Sequence, residues 1–206
     1  CAKKGRMPKI VDHETRREAT AVALWRALRR DRVRAASVRT IAAARIVLEA
    51  FGARSEVQSA YDQAWGRFQT VLDELVSELP ALRAPLGDSH AEVKGPVARE
   101  MVRACAAHRG IFITPMAAVA GAVADAVLAA MTTQRRLDKA YVNNGGDIAL
   151  FLAPGQTLTT GLVTLGKRPA LDGFSRIEAS SPVRGIATSG WRGRSFSMGI
   201  ADSVTV

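Results

Sequence analysis

The chain has 206 residues, 48% hydrophobic and 23% charged, enough to bury a sizeable core in one domain with a short appendage and unlike a disordered or fibrous chain. Its formal charge is +10, but residues 1–50 hold 13 Lys and Arg against 5 Asp and Glu, whereas the other 156 residues hold 16 against 14. Only the N-terminal segment therefore has an electrostatic reason to meet nucleic acid or an anionic surface.

In chain order, Asp12 is placed to cap a helix over about residues 14–30, whose apolar positions Ala21, Leu24, Trp25 and Leu28 share one face. Ser37 caps a second, short helix predicted over residues 38–44. The period then changes, and residues 45–51 read as a strand ended by Gly52. Ser55-Glu56-Val57-Gln58 has the form of a capping box. The helix it opens keeps Val57, Ala60, Tyr61, Ala64, Phe68, Val71, Leu72, Leu75, Val76 and Leu79 at helical spacing up to Pro80. Residues 85–94 read as a loop, and Gly95-Pro96 opens a helix through about Ala107. Ile111-Phe112-Ile113 reads as a short buried strand. Thr114-Pro115 then sets a capping hydroxyl and a proline at the start of an Ala/Val-rich helix to Met131. Strands are predicted over 140–142 and 148–152, around the tight-turn signal Asn143-Asn144-Gly145-Gly146. Further strands are predicted over 157–165, 175–178, 185–187 and 195–206. This order predicts an α+β fold, with helices packed on one face of a mostly antiparallel sheet and a short helical N-terminal extension.

Cys1 and Cys105 cannot form a metal site alone, and Cys105 fits a buried small hydrophobe. The basic start is not followed by an apolar run, so no signal peptide is expected there. The longest apolar stretch, residues 116–131, is interrupted by Asp125 and too short to span a bilayer. The expected location is cytoplasmic, with no membrane partner.

Two small-residue turns carry the functional signal: Asn144-Gly145-Gly146-Asp147 and Thr188-Ser189-Gly190. Both stand beside strand-like sequence and would bring backbone amides, hydroxyls and one carboxylate to a small molecule. Asp147 leaves its turn at a sheet edge, where it could hold a metal, accept bonds from a ligand, or bond its own backbone. Thr188 and Ser189 could meet an anion or form a plain polar loop. Thr114, Met116 and Ala117 begin a helix whose free amides suit an anion or serve only as its cap. Asp125 faces solvent or the pocket. Arg192, Arg194, Ser195, Ser197 and Asp202 are weaker candidates. His13, His90 and His108 stand in no catalytic pattern, and neither a phosphate-cradling P-loop nor a dinucleotide fingerprint is present.

The runs at residues 112–125, 142–148, 185–190 and 201–206 resemble an uncharacterised family related to the ApbE proteins, which are flavin transferases. The resemblance covers residues 45–206. It implies FAD or FMN as cofactor, magnesium as its metal, and transfer of FMN from FAD to a threonine or serine of a target flavoprotein. Asn144, Gly145, Gly146, Asp147, Thr188, Ser189 and Gly190 would line the flavin pocket, and the helix start at Thr114, Met116 and Ala117 would approach the pyrophosphate. The chain departs from the transferase pattern: the acidic start of their Asp-Leu-Gly-x-Ile-Ala-Lys-Gly run falls on Thr114, and its lysine falls on Ala120. Their His-rich segment is absent after Ser189, and their metal-binding Asp and Thr would lie beyond Val206, so the domain reads as truncated at its C-terminus. Residues 7–44 look like the opening of a TetR-type DNA-binding domain without its recognition helix. That implies a DNA-binding regulator as the alternative, or weak nucleic-acid contact through residues 1–44. A third reading is an interaction or assembly protein that forms a stable oligomer such as a homodimer.

Overall fold

Along Arg45–Gly52 (β2) every second side chain is apolar and shielded, with Ile46, Leu48 and Ala50 at most 2% exposed. That period of two is the signature of a strand with one buried face. The computed structural model describes residues 39–42, 45–87, 92–164, 170–187 and 204–205. β2 pairs antiparallel with Leu137–Asn144 (β3), which pairs antiparallel with Asp147–Leu152 (β4). Arg39–Ala42 (β1) lies outside β2. Gly185–Ala187 (β7) and Val204–Thr205 (β8) continue the sheet beyond β4, giving the order β1-β2-β3-β4-β7-β8 with every pair antiparallel.

Among the described residues, α1 Arg54–Ser77 and α4 Val119–Thr132 pack on one face of the sheet, α3 Pro96–Cys105 packs against both, and α2 Leu79–Arg83 joins the same core through Leu82. A 3₁₀ turn, Pro115–Ala118, leads directly into α4. Ala60, Tyr61, Ala64 and Val71 of α1 and Val123, Val127 and Met131 of α4 join Ile46, Leu48, Ala140, Val142 and Ala149 of the sheet in one core. Each fully buried Leu or Ile in such a core contributes about 1.5–3 kcal/mol. Residues Pro115–Thr132 are apolar enough, at a mean hydropathy of 1.6, to meet the composition of a membrane span; here they pack against α1, β3 and β4. The opposite face of the sheet is covered in part by a two-stranded ribbon, β5 Thr157–Thr164 and β6 Ala170–Glu178. There Ile177 packs with Leu150, Leu152 and Ile186 in a second, smaller cluster. The α+β fold is thus borne out, as helices, sheet and ribbon in three layers.

Four local expectations are corrected. The helix predicted over residues 38–44 gives way to the strand β1, because Arg39–Ala42 completes a ladder on β2 through Arg39↔Leu48 to Ala42↔Arg45. The capping box does not close. α1 starts from Ala53 with no side-chain cap, Gln58 bonds Asp62 instead, and the Glu56 carboxylate accepts from the Arg136 amide at 3.1 Å. The segment 111–113 is neither buried nor a strand: Ile111 is 66% and Phe112 72% exposed, and the Ile113 carbonyl accepts from the Leu86 amide at 2.8 Å. The Thr114 hydroxyl caps nothing, since the 3₁₀ turn closes through its carbonyl, which accepts from the Ala117 amide at 3.0 Å. The helices predicted in residues 1–37 lie outside the described residues.

Candidate functional site

The hairpin between β3 and β4 turns on two residues. Asn144 and Asp147 are directly opposite in the ladder, and Gly145 and Gly146 between them have φ of +70° and +115°. A two-residue hairpin turn demands such angles, and only glycine adopts them freely at both positions. Nothing lies within 4 Å of where a Gly145 side chain would begin, so a ligand can approach its backbone. The Gly146 amide donates to the Asn143 side-chain carbonyl at 2.9 Å, which stiffens the turn.

Strand alternation decides what this turn faces. Ala140 and Val142 of β3 and Ala149 of β4 belong to the core under the helices, so Asn144 and Asp147 lie on that same helix-bearing face. There the Asn144 amide group donates to the Ala120 carbonyl, in the first turn of α4, at 3.1 Å. One side chain thus fixes the hairpin against the helix start. Met116 and Ala117 lie in the 3₁₀ turn just before, Met116 half-buried against the core and Ala117 exposed. The Thr114 carbonyl also accepts a weak bond from the buried Cys105 thiol at 3.7 Å. Burial pushes that thiol above its ordinary range, which disfavours the thiolate form.

On the far side of the hairpin, Ile148 pairs with Ile186 and Ala149 with Gly185. β7 therefore runs toward the turn, and Ala187, its last residue, directly precedes Thr188. Thr188, Ser189 and Gly190 themselves lie outside the described residues, as do Arg192, Arg194, Ser195, Ser197 and Asp202. The structure thus brings together Asn144, Gly145, Gly146 and Asp147 with the start of α4. Sequence reasoning missed the partner that joins them, the Ala120 carbonyl; the even spacing of Asn144 from Ala140 and Val142 was the available signal.

Asp125 takes no part in this arrangement. It is exposed on α4, and its carboxyl is pushed above the usual carboxylate range by desolvation first and by Glu100 second, with Arg103 pulling the other way. No group of three or more His, Cys, Asp or Glu side chains that could hold a metal occurs among the described residues. Magnesium needs less than that, because it keeps several waters and takes one or two carboxylates together with substrate phosphates; Asp147 is the carboxylate of this turn. On the other face of the sheet the Tyr141 hydroxyl donates to Glu49 at 2.8 Å, a pair the sequence did not flag.

A family model described as AbpE bacteria matches residues 26–206. The chain is also 33% identical over 141 residues to a UPF0280 protein of Methanothrix thermoacetophila, an overlap of 67% of this chain and 56% of that protein. The chain therefore spans little more than half the length of that relative. The resemblance to an ApbE-related family is borne out at the level of the family. The match opens at residue 26, inside the segment that looked like a TetR-type domain, and Arg39–Ala42 is a strand of the same sheet. The TetR-type reading and its DNA-binding regulator are not supported.

Proposed function

We propose that this chain, which belongs to the AbpE bacteria family, binds a flavin or another phosphate-bearing cofactor at the Asn144–Asp147 turn and the adjoining start of α4. The observation that carries this reading is the 3.1 Å bond from Asn144 to the Ala120 carbonyl. It holds an open glycine turn and a carboxylate beside a helix N-terminus, where backbone amides and the helix dipole favour an anion. Asp147 would accept from ligand hydroxyl or N–H groups or share a magnesium ion with the phosphates. Bound magnesium would neutralise charge on those phosphates. Asn144 orients the turn, and Gly145 gives the ligand room.

Transfer of FMN from FAD to a hydroxyl of a target flavoprotein is the finer form of this proposal. The new bond would join that hydroxyl oxygen to the FMN phosphorus, the anhydride bond would break, and AMP would leave. Binding is the better-supported half, because Thr114 and Ala120 stand where the transferase run has its acid and its lysine. Cytoplasmic location is part of the same proposal.

Thermal melting of the full chain with FAD and with FMN, each with and without magnesium, tests it. A ligand that binds only the folded state raises the melting temperature by mass action, by about 2.7 kcal/mol of stability at a hundred times Kd. The expected result is a rise with FAD that Asp147→Ala abolishes and Asn144→Ala reduces, while both variants melt cooperatively without ligand. No rise with either flavin at concentrations up to roughly millimolar would sink the reading.

A further inference from the structure

Ile111 and Phe112 stand side by side at 66% and 72% exposure. Two adjacent large apolar side chains in water are unfavourable by the area they expose, and a loose loop could fold them inward. This loop is fixed at both ends, by the Ile111 amide donating to the His108 carbonyl at 3.1 Å and by the Leu86 amide donating to the Ile113 carbonyl at 2.8 Å. The surroundings are cationic. Arg83, at the end of α2, and Arg109, beside the loop, are exposed, and residues 79–87 and 101–124 contain no Asp or Glu. Arg103 is already paired with Glu100 at 2.6 Å and adds little.

From this charge pattern we propose that the 109–113 loop docks on a lipid surface bearing anionic headgroups, with Ile111 and Phe112 entering the acyl boundary and Arg83 and Arg109 meeting headgroup phosphates. An apolar protein groove would accept the two side chains but offer the two guanidiniums no counter-charge. A bilayer interface accepts both parts, since apolar residues and cations partition to adjacent depths there. The molecule lies on the surface in this proposal and does not span it, which departs from the sequence-based expectation of no membrane partner. The loop runs straight into Thr114, so docking brings the start of α4 near the headgroups. The inference does not depend on the flavin reading.

The test is co-sedimentation of the full chain with vesicles of phosphatidylcholine alone and of phosphatidylcholine mixed with phosphatidylglycerol. The parent is expected to partition onto the anionic vesicles and to be released by added salt. Ile111→Ser with Phe112→Ser keeps every charge and is expected to lower partitioning by at least about tenfold. Arg109→Glu should lower it too and flatten the salt dependence. Both apolar positions are exposed, so the melting temperature stays close to the parent's; Phe112→Gln alone serves if the double variant melts early. Three outcomes overturn the proposal. The serine variant could sediment like the parent, which would assign binding to the basic residues 1–50. Neutral vesicles could take up the chain equally well. Or the serine variant could change only the oligomeric state in solution, which would make the loop a contact between copies.

Discussion

Tyr141 shows how one side chain ties a sheet to a pH range. Its hydroxyl donates to Glu49 across the β2–β3 ladder, and the phenol is pushed up to about 12 from 10.0, by burial first and by Glu49 second. The folded state therefore holds this proton more tightly than the unfolded chain does. Its contribution to stability is full below pH 10.0 and is lost as pH rises from 10.0 toward 12. Tyr141→Phe is expected to flatten that alkaline decline, measured as unfolding midpoints across the range, while an ultraviolet phenolate titration loses its late step. If the decline persists unchanged in the variant, the pair is not its cause. The pair was invisible in the sequence because Glu49 and Tyr141 are 92 positions apart and meet only through register. Asn144 and Asp147 were legible because a glycine pair between alternating apolar residues already implies a turn on a sheet.

At the scale of single elements, α3 is held at its start by the last turn of α1 and the residue that caps it. The Glu78 carboxylate accepts from the amides of Lys94 at 2.6 Å and Gly95 at 2.7 Å, and Glu74 accepts from the Val97 amide at 3.1 Å while pairing with Arg67 at 2.9 Å. Two carboxylates on a helix N-terminus satisfy its orphan amides and complement its dipole. A side chain on Gly95 would meet Glu78 Oε1 at 2.7 Å and Glu74 Oε1 at 2.9 Å, so it would have to push these two carboxylates aside. Glu78→Ala is expected to cost about 1–2 kcal/mol, and Gly95→Ala a comparable amount by displacing the same carboxylates. Urea unfolding checks both; an effect under a few tenths for each would remove the cap from the account. Gly95-Pro96 announced this helix in the sequence, but its cap was assigned to no residue because the capping groups lie 16 to 23 positions upstream. The reverse error occurred at Ser55 and Ser37, where local capping signals were overruled by a helix that begins elsewhere and by strand pairing. Residues 111–113 read as a strand on propensity, yet a strand exists only with a partner.

For the whole molecule, the alternation of long helical patterns and short strands made the α+β class readable, but not the layer that the ribbon adds. β5 and β6 read as strands of the sheet, and no local pattern says that they leave it to pack across its second face. That packing rests on a small contact, Ile177 with Leu150, Leu152 and Ile186, together with Lys139, which donates to the Thr157 carbonyl at 3.3 Å and lies 4.6 Å from the Phe51 ring centre. A two-stranded ribbon is marginal alone in water. Ile177→Ala is therefore expected to cost about 2–4 kcal/mol and to speed amide exchange in β5 and β6 more than in β2 and β3. Uniform acceleration across all four strands would show instead that the ribbon and the sheet open together.

The arrangement at Glu74 and Glu78 also sets an order of events during synthesis. These residues leave the ribosome before Lys94 does, so the groups that hold α3 are already present when its first turn emerges. A peptide comprising α3 alone, cut off from α1, has no reason to coil, because ten residues are too few to hold a helix in water. The carboxylates that hold its first turn are made before it, and the Pro115–Thr132 segment it packs against follows after.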